Sequence, residues 1–139
     1  MVEFDYRQER TRSGEIAFRL VVKVSLLRGQ AEWIAEFFYV DSGADYTLIP
    51  YALGRFLGLA ERASGTEEMT GIAGVVGVRF AVVPMKIDKY QFDCRIAWAQ
   101  IESIPLLLGR ENVFDYFDIT FQQRKKKTLF DWQQGIKSA

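Results

Sequence analysis

Apolar residues recur at every second position through Ile16, Phe18, Leu20, Val22, Val24 and Leu26, the alternation of a strand with one buried face. The stretch before it is charged, with Arg7-Gln8-Glu9-Arg10-Thr11-Arg12 at its centre, so the pattern starts the ordered chain near Ile16 and leaves residues 1–14 as an N-terminal extension. Arg28-Gly29-Gln30 marks a hairpin turn. Ala31 to Val40, carrying Trp33, Phe37, Phe38 and Tyr39, reads as the returning strand and delivers the chain to Asp41. Pro50 suits the first turn of a helix, and Leu53, Phe56 and Leu57 follow at helical spacing, with Gly54 and Gly58 limiting its length.

Alternation returns at Val76, Val78, Phe80 and Val82, then at Phe92, Cys94, Ile96 and Trp98, with Asp88-Lys89-Tyr90 as the turn between two strands. Leu106-Leu107-Leu108, bounded by Pro105 and Gly109, suits a short buried strand, and Val113, Phe114 and Phe117 predict a second short helix. Asp118 to Phe121 and Thr128 to Trp132 flank the run Gln122-Gln123-Arg124-Lys125-Lys126-Lys127, which reads as a solvated hairpin end. The pattern predicts a mainly β protein with one or two short helices. Its domain spans residues 15–132, and 133–139 form a C-terminal tail.

Composition narrows the chemistry. With 139 residues the chain fits one core, and 49% hydrophobic content with 14% aromatics describes an ordered globular protein. Lysine plus arginine equals aspartate plus glutamate, 18 against 18, so no global field draws the chain to nucleic acid or to acidic lipid. Histidine is absent and Cys94 is the single cysteine. That excludes an intrachain disulfide, a structural zinc site and any serine-histidine or cysteine-histidine catalytic pair. The expectation is no cofactor and no metal. Met1 to Arg7 lacks the apolar run of a signal peptide, and no stretch approaches a membrane span, so the expected location is cytoplasmic with no membrane partner.

The candidate chemistry lies at Asp41-Ser42-Gly43-Ala44-Asp45. Alone, Asp-Ser-Gly is an ordinary turn. Here Phe37-Phe38-Tyr39-Val40 leads into it and Thr47-Leu48-Ile49-Pro50 follows, giving apolar walls that a surface turn does not need. Residues Tyr39 to Leu48 resemble the active-site loop of the retropepsin-like aspartic proteases. Leu106-Leu107-Leu108-Gly109-Arg110 is similar to the second signature of that family, an apolar run ending in glycine before a short helix. Thr70-Gly71-Ile72-Ala73-Gly74-Val75 resembles, less specifically, its glycine-containing flap.

The resemblance implies a closed acid-protease barrel and a homodimer that hydrolyses peptide bonds of a peptide or protein substrate. Only one Asp-Ser-Gly is present, so the second aspartate comes from a second subunit, and a two-fold axis sets both Asp41 residues face to face. Two carboxylates sharing one proton supply the base that activates water and the acid that protonates the carbonyl oxygen. By the same resemblance Ser42 hydrogen-bonds across the axis, and Gly43 lets the backbone approach and donate its N–H to the carboxylates. Ala44 completes the loop, Asp45 pairs with Arg110, and Gly71, Ile72, Ala73 and Gly74 close over substrate. The bland reading of Asp45 and Arg110 is two unrelated surface charges. The chain ends, Met1 to Gly14 and Gln133 to Ala139, are polar and do not match the interleaved ends of the retroviral enzymes.

Other residues carry less. Asp88, Asp93, Asp115 and Asp118 read as turn, cap or surface residues, and Cys94 as a small buried hydrophobe. The basic run at 124–127 reads as a solvated tip rather than a nucleic-acid site. The alternative function is a catalytically silent, protease-like dimer that binds peptides or regulates a partner, because a fold never guarantees activity.

Overall fold

Alternating sequence becomes a sheet that closes on itself in the computed structural model, which describes residues 1–71 and 74–133. Strands β1 (Val2–Asp5), β2 (Arg7–Arg10) and β3 (Ile16–Arg19) precede the long hairpin β4 (Val21–Arg28) and β5 (Glu32–Val40). Then come β6 (Thr47–Ile49), helix α1 (Tyr51–Phe56), a single 3-10 turn at Leu59–Glu61, and the strands β7 (Glu67–Gly71), β8 (Gly74–Ile87) and β9 (Tyr90–Ala99). Strand β10 (Leu107–Leu108), helix α2 (Val113–Tyr116) and the hairpin β11 (Phe117–Gln122) and β12 (Lys127–Trp132) complete the described chain.

The main sheet runs β4-β5-β10-β6-β9-β8-β7, and β4 also pairs with β8 through Ser25 with Lys86 and Leu26 with Met85. Six strands therefore form a closed barrel, with β7 outside the ring as the second arm of the β7–β8 hairpin. Closure removes the sheet edges that an open sheet of this size would leave exposed. Val24, Leu26, Phe38, Val83, Met85, Ile87, Cys94, Ile96 and Trp98 point into one cluster and are fully buried, so the predicted mainly β class with two short helices is the one observed.

Strand β8 serves two clusters. Val76 and Val78 pack with Leu48, Ala97, Ala99 and Ile104, whereas Ala81, Val83, Met85 and Ile87 pack into the main core. Its pairing with β9 runs without a break from Val78 opposite Ala99 to Ile87 opposite Tyr90, so no bulge changes the phase. The two sets lie on opposite faces of one strand. The predicted alternation of Val76, Val78, Phe80 and Val82 thus describes one face correctly, but that face is buried only in its first half; Val82 is 52% exposed.

Three other departures have simple causes. The charged start is strand rather than a lead-in: β1 pairs with β12, and Lys127 reaches Asp5 at 2.9 Å and Glu3 at 3.8 Å across the ladder. The alternation from Ile16 to Leu26 breaks at Leu20; β3 leaves the barrel and pairs with β2 as a separate ribbon, leaving Ile16 and Phe18 exposed. Gly54 lies inside α1, where it makes room for a neighbour: a Cβ there would overlap the Trp98 indole, whose Nε1–H donates to the Tyr51 carbonyl at 3.0 Å. Gly58, at φ +80°, stands between α1 and the 3-10 turn, where its left-handed backbone ends the helix.

Among the described residues no helix is long and apolar enough to cross a membrane. Of the aspartates read as caps or turns, Asp115 accepts the Asn112 N–H at 2.9 Å at the start of α2, and Asp88 sits at φ +53° in the β8–β9 turn.

Candidate active site

Strand β10 is inserted between β5 and β6, parallel to the first and antiparallel to the second, with Leu107 opposite both Tyr39 and Leu48. The two sequence motifs, more than sixty residues apart in the chain, are thereby placed side by side. The loop from β5 to β6 has to leave the sheet, pass the end of β10 and return. Its backbone groups are satisfied in doing so: the Asp41 N–H donates to the Leu108 carbonyl at 3.0 Å, and the Arg110 and Glu111 N–H groups donate to the Ala44 and Asp45 carbonyls, each at 2.9 Å.

Asp41 is half-buried at the base of this loop. The Gly43 N–H donates to Asp41 Oδ1 at 2.9 Å, and the Ala44 N–H to the Asp41 carbonyl at 3.2 Å. A Cβ at position 43 would stand 3.3 Å from Asp41 Oδ1, a tight contact that pushes on the carboxylate itself. Ser42 is exposed beside it. Asp45 forms an ion pair with Arg110, but both side chains are more than half exposed, at 71% and 54%. In that setting the pair orients the loop more than it stabilises the fold.

Two residues beneath the loop lock it. Thr47 is completely buried, and its Oγ1 accepts the Gly109 N–H at 3.1 Å. Gly109 packs so closely on the Tyr46 carbonyl that a Cβ would collide with it and come within 2.8 Å of the Thr47 nitrogen. Cys94 lies under Thr47, its Sγ 3.9 Å from Thr47 Oγ1, and burial pushes its thiol from an ordinary value of 9.0 up to about 12. That makes it a packing group rather than a nucleophile.

Asp41 opens onto a cleft of about 370 Å³ whose walls are largely apolar: Tyr46, Leu48, Met69, Val76, Pro105 and Leu107. Hairpin β7–β8 supplies Met69, Thr70, Gly74 and Val76, so it forms the wall facing the Asp41 loop. Gly71 pairs with Gly74 at the end of its ladder. Ile72 and Ala73, expected at the tip, lie outside the described residues, as do positions 134–139 of the expected tail. Tyr46 is fixed at the rim by the Phe80 ring at 5.1 Å and by the Arg95 guanidinium at 5.3 Å, which also lies 4.0 Å over Phe80 and reaches Glu111 at 3.4 Å.

The structure thus brings Asp41, Ser42, Gly43, Ala44, Asp45 and Arg110 into one locality and sets Gly74 across the cleft from them. Sequence reasoning placed Tyr46 and Thr47 inside the Tyr39 to Leu48 motif without giving either a role, and it did not single out Met69 or Val76 as parts of the site. The available signal was the buried-strand context of Thr47 and the even-numbered apolar set of β8, which does not say which face meets a cleft. Among the described residues no group of three or more histidine, cysteine, aspartate or glutamate side chains is placed to hold a metal ion.

No family model matches the chain, and no curated protein matches it. Among solved structures it is similar to EIAV protease complexed with an inhibitor, at 20% identity, covering 66% of this chain and 82% of that one with a TM-score of 0.49.

Proposed function

We propose that the chain is an aspartic endopeptidase acting as a homodimer, in which each subunit contributes one Asp41 carboxylate to a shared site. The observation that carries this reading is the setting of Asp41. Its carboxylate is half-buried at the edge of an apolar cleft and held by the Gly43 N–H, and a β hairpin forms the facing wall.

One carboxylate cannot serve as base and as acid in the same step. A two-fold axis beside the loop supplies it: two Asp41 side chains face each other, and like charges that close share a single proton. The ionised member takes a proton from a water molecule, whose oxygen attacks the carbonyl carbon of the peptide, while the protonated member gives its proton to the carbonyl oxygen. The tetrahedral intermediate then collapses, the carbon–nitrogen bond breaks and the leaving nitrogen takes up a proton.

Other residues position. The Gly43 N–H fixes the carboxylate, the exposed Ser42 hydroxyl reaches the partner's loop, and Asp45 with Arg110 ties the loop to the segment before α2. Hairpin β7–β8 acts as the flap, with Gly71, Ile72, Ala73 and Gly74 as its substrate-covering residues. Substrate lies extended between flap and loop, with main-chain hydrogen bonds and an apolar side chain in the pocket of Leu48, Met69 and Val76.

The test is cleavage of an unfolded protein across acid to neutral pH by wild type and by Asp41→Asn, with dimerisation of both followed by sedimentation. The expected result is cleavage lost in the variant while its dimer persists. Equal cleavage by both would overturn the reading, and cleavage by neither would favour a peptide-binding module.

A further inference from the structure

A second hollow, sharing no lining residue with the Asp41 cleft, lies where the β4–β5 turn meets α1 and Pro84 in the last third of β8. It is a shallow depression open to solvent, lined by Arg28, Arg55 and Arg62 around Phe56, Leu57 and Pro84. No carboxylate lines it, although the chain as a whole is neutral with 18 charges of each sign. It stands at the opposite end of β5 from Asp41, and a strand of nine residues at ~3.3 Å per residue separates the two by roughly 30 Å.

The three guanidinium groups are held in place by acceptors that leave most of their charge unmatched. Arg62 Nη1 donates to the Val82 carbonyl at 2.7 Å, Arg55 Nη1 to the Tyr51 hydroxyl at 3.1 Å, and Arg28 Nε to the Phe56 carbonyl at 3.0 Å. Arg28 also pairs with Glu32 at 3.0 Å, whereas Arg55 and Arg62 form no ion pair among the described residues. Each guanidinium has five N–H donors, so several remain free on every one of them, and their ordering cost is already met in the free protein. Phe56 is 48% exposed and carries the Arg28 guanidinium 4.2 Å over its ring.

We propose that this hollow docks an acidic peptide segment of another protein, its carboxylates on Arg55, Arg62 and Arg28 and an apolar side chain against Phe56 and Pro84. Charge complementarity selects the acidic partner. Three guanidinium groups beside the exposed apolar surface of Phe56 and Pro84 favour a peptide over a single small anion, which would fill one guanidinium fork and leave that apolar surface uncovered. The proposal stands whether or not Asp41 is catalytic.

The test uses the full chain carrying Asp41→Asn, so that no cleavage consumes the probe, and a fluorescent peptide of alternating glutamate and leucine read by anisotropy. The expected result is saturable binding that weakens as salt rises, and that falls about tenfold or more for the glutamine-for-glutamate peptide and for Arg55→Glu/Arg62→Glu. Arg55→Glu alone, at an exposed position bonded only to a tyrosine hydroxyl, gives the same direction if the double variant fails to fold. Absence of binding, binding indifferent to these substitutions, or binding of inorganic phosphate or single-stranded DNA in preference to the peptide would overturn the proposal.

Discussion

Gly109 and Thr47 show how one residue type at one place decides whether the Asp41 loop exists. Gly109→Ala pushes a methyl group into the Tyr46 carbonyl, a backbone group that cannot swing aside, and is expected to cost more than about 3 kcal/mol of unfolding free energy, read from urea denaturation. Thr47→Val keeps the shape but leaves the Gly109 N–H without its partner in a buried setting, for a loss of about 1–3 kcal/mol. Asp45→Asn is the contrast: its ion pair with Arg110 is more than half exposed, so stability should move by less than about 1 kcal/mol.

Cys94 makes a pH prediction. Its folded-state thiol is raised to about 12, so an unfolded chain releases the proton at lower pH than the native chain does. The stabilisation is complete below the unfolded value and is lost as pH rises from about 9 towards 12. Wild type should therefore lose thermal stability across that window more steeply than Cys94→Ala. Native protein should also resist a thiol reagent that labels the unfolded chain at once. The sequence shows Asp41, Ser42, Gly43 and Gly109 because each belongs to a contiguous motif. Thr47's hydrogen bond was not legible, because its partner is 62 residues away and only the folded loop crossing brings them together.

At the scale of elements, period-two patterning locates strands well and says little about which face is covered. Val22, Val24 and Leu26 in β4 and Phe92, Cys94, Ile96 and Trp98 in β9 alternate and are buried as the pattern implies. Strand β8 is different because one face packs beneath the cleft and the other into the barrel, so Val76 and Ala81 are both buried on opposite sides. The β1 strand was hidden by its charges, whose partner Lys127 lies 122 positions further along the chain. A sequence window cannot see that pairing.

The hairpin β7–β8 carries its own prediction. Met69 is partly buried and lines the cleft opposite the Asp41 loop, so Met69→Ala removes apolar wall at modest cost to the fold. Under the protease reading, the KM for an extended apolar peptide should rise by roughly 5-fold or more, as expected for ~1–2 kcal/mol of lost contact, with kcat changing less. Equal losses in KM and kcat, or a collapse of stability, would place Met69 in the framework rather than at the substrate.

At the scale of the molecule, barrel closure through β4 and β8 explains why a neutral chain of 139 residues with no disulfide and no metal-holding cluster among the described residues has a well-packed core. It also explains why the cleft is built on rigid strands, which hold a reacting group more closely than mobile loops do. The mainly β class and the short helices were legible because turns and alternation are local signals. Closure was legible only through the motif resemblance and not from alternation, since Ser25 with Lys86 and Leu26 with Met85 are pairings across most of the barrel.

The claim of one aspartate per subunit is tested most directly by mixing wild type with Asp41→Asn at constant total protein, allowing subunits to exchange, and measuring peptide cleavage against the wild-type fraction. If a working site needs both carboxylates, activity follows the square of that fraction and an equal mixture retains about a quarter of the starting rate. A straight-line decline, with about half the rate left in the equal mixture, would mean that each Asp41 acts without its counterpart and would contradict the account.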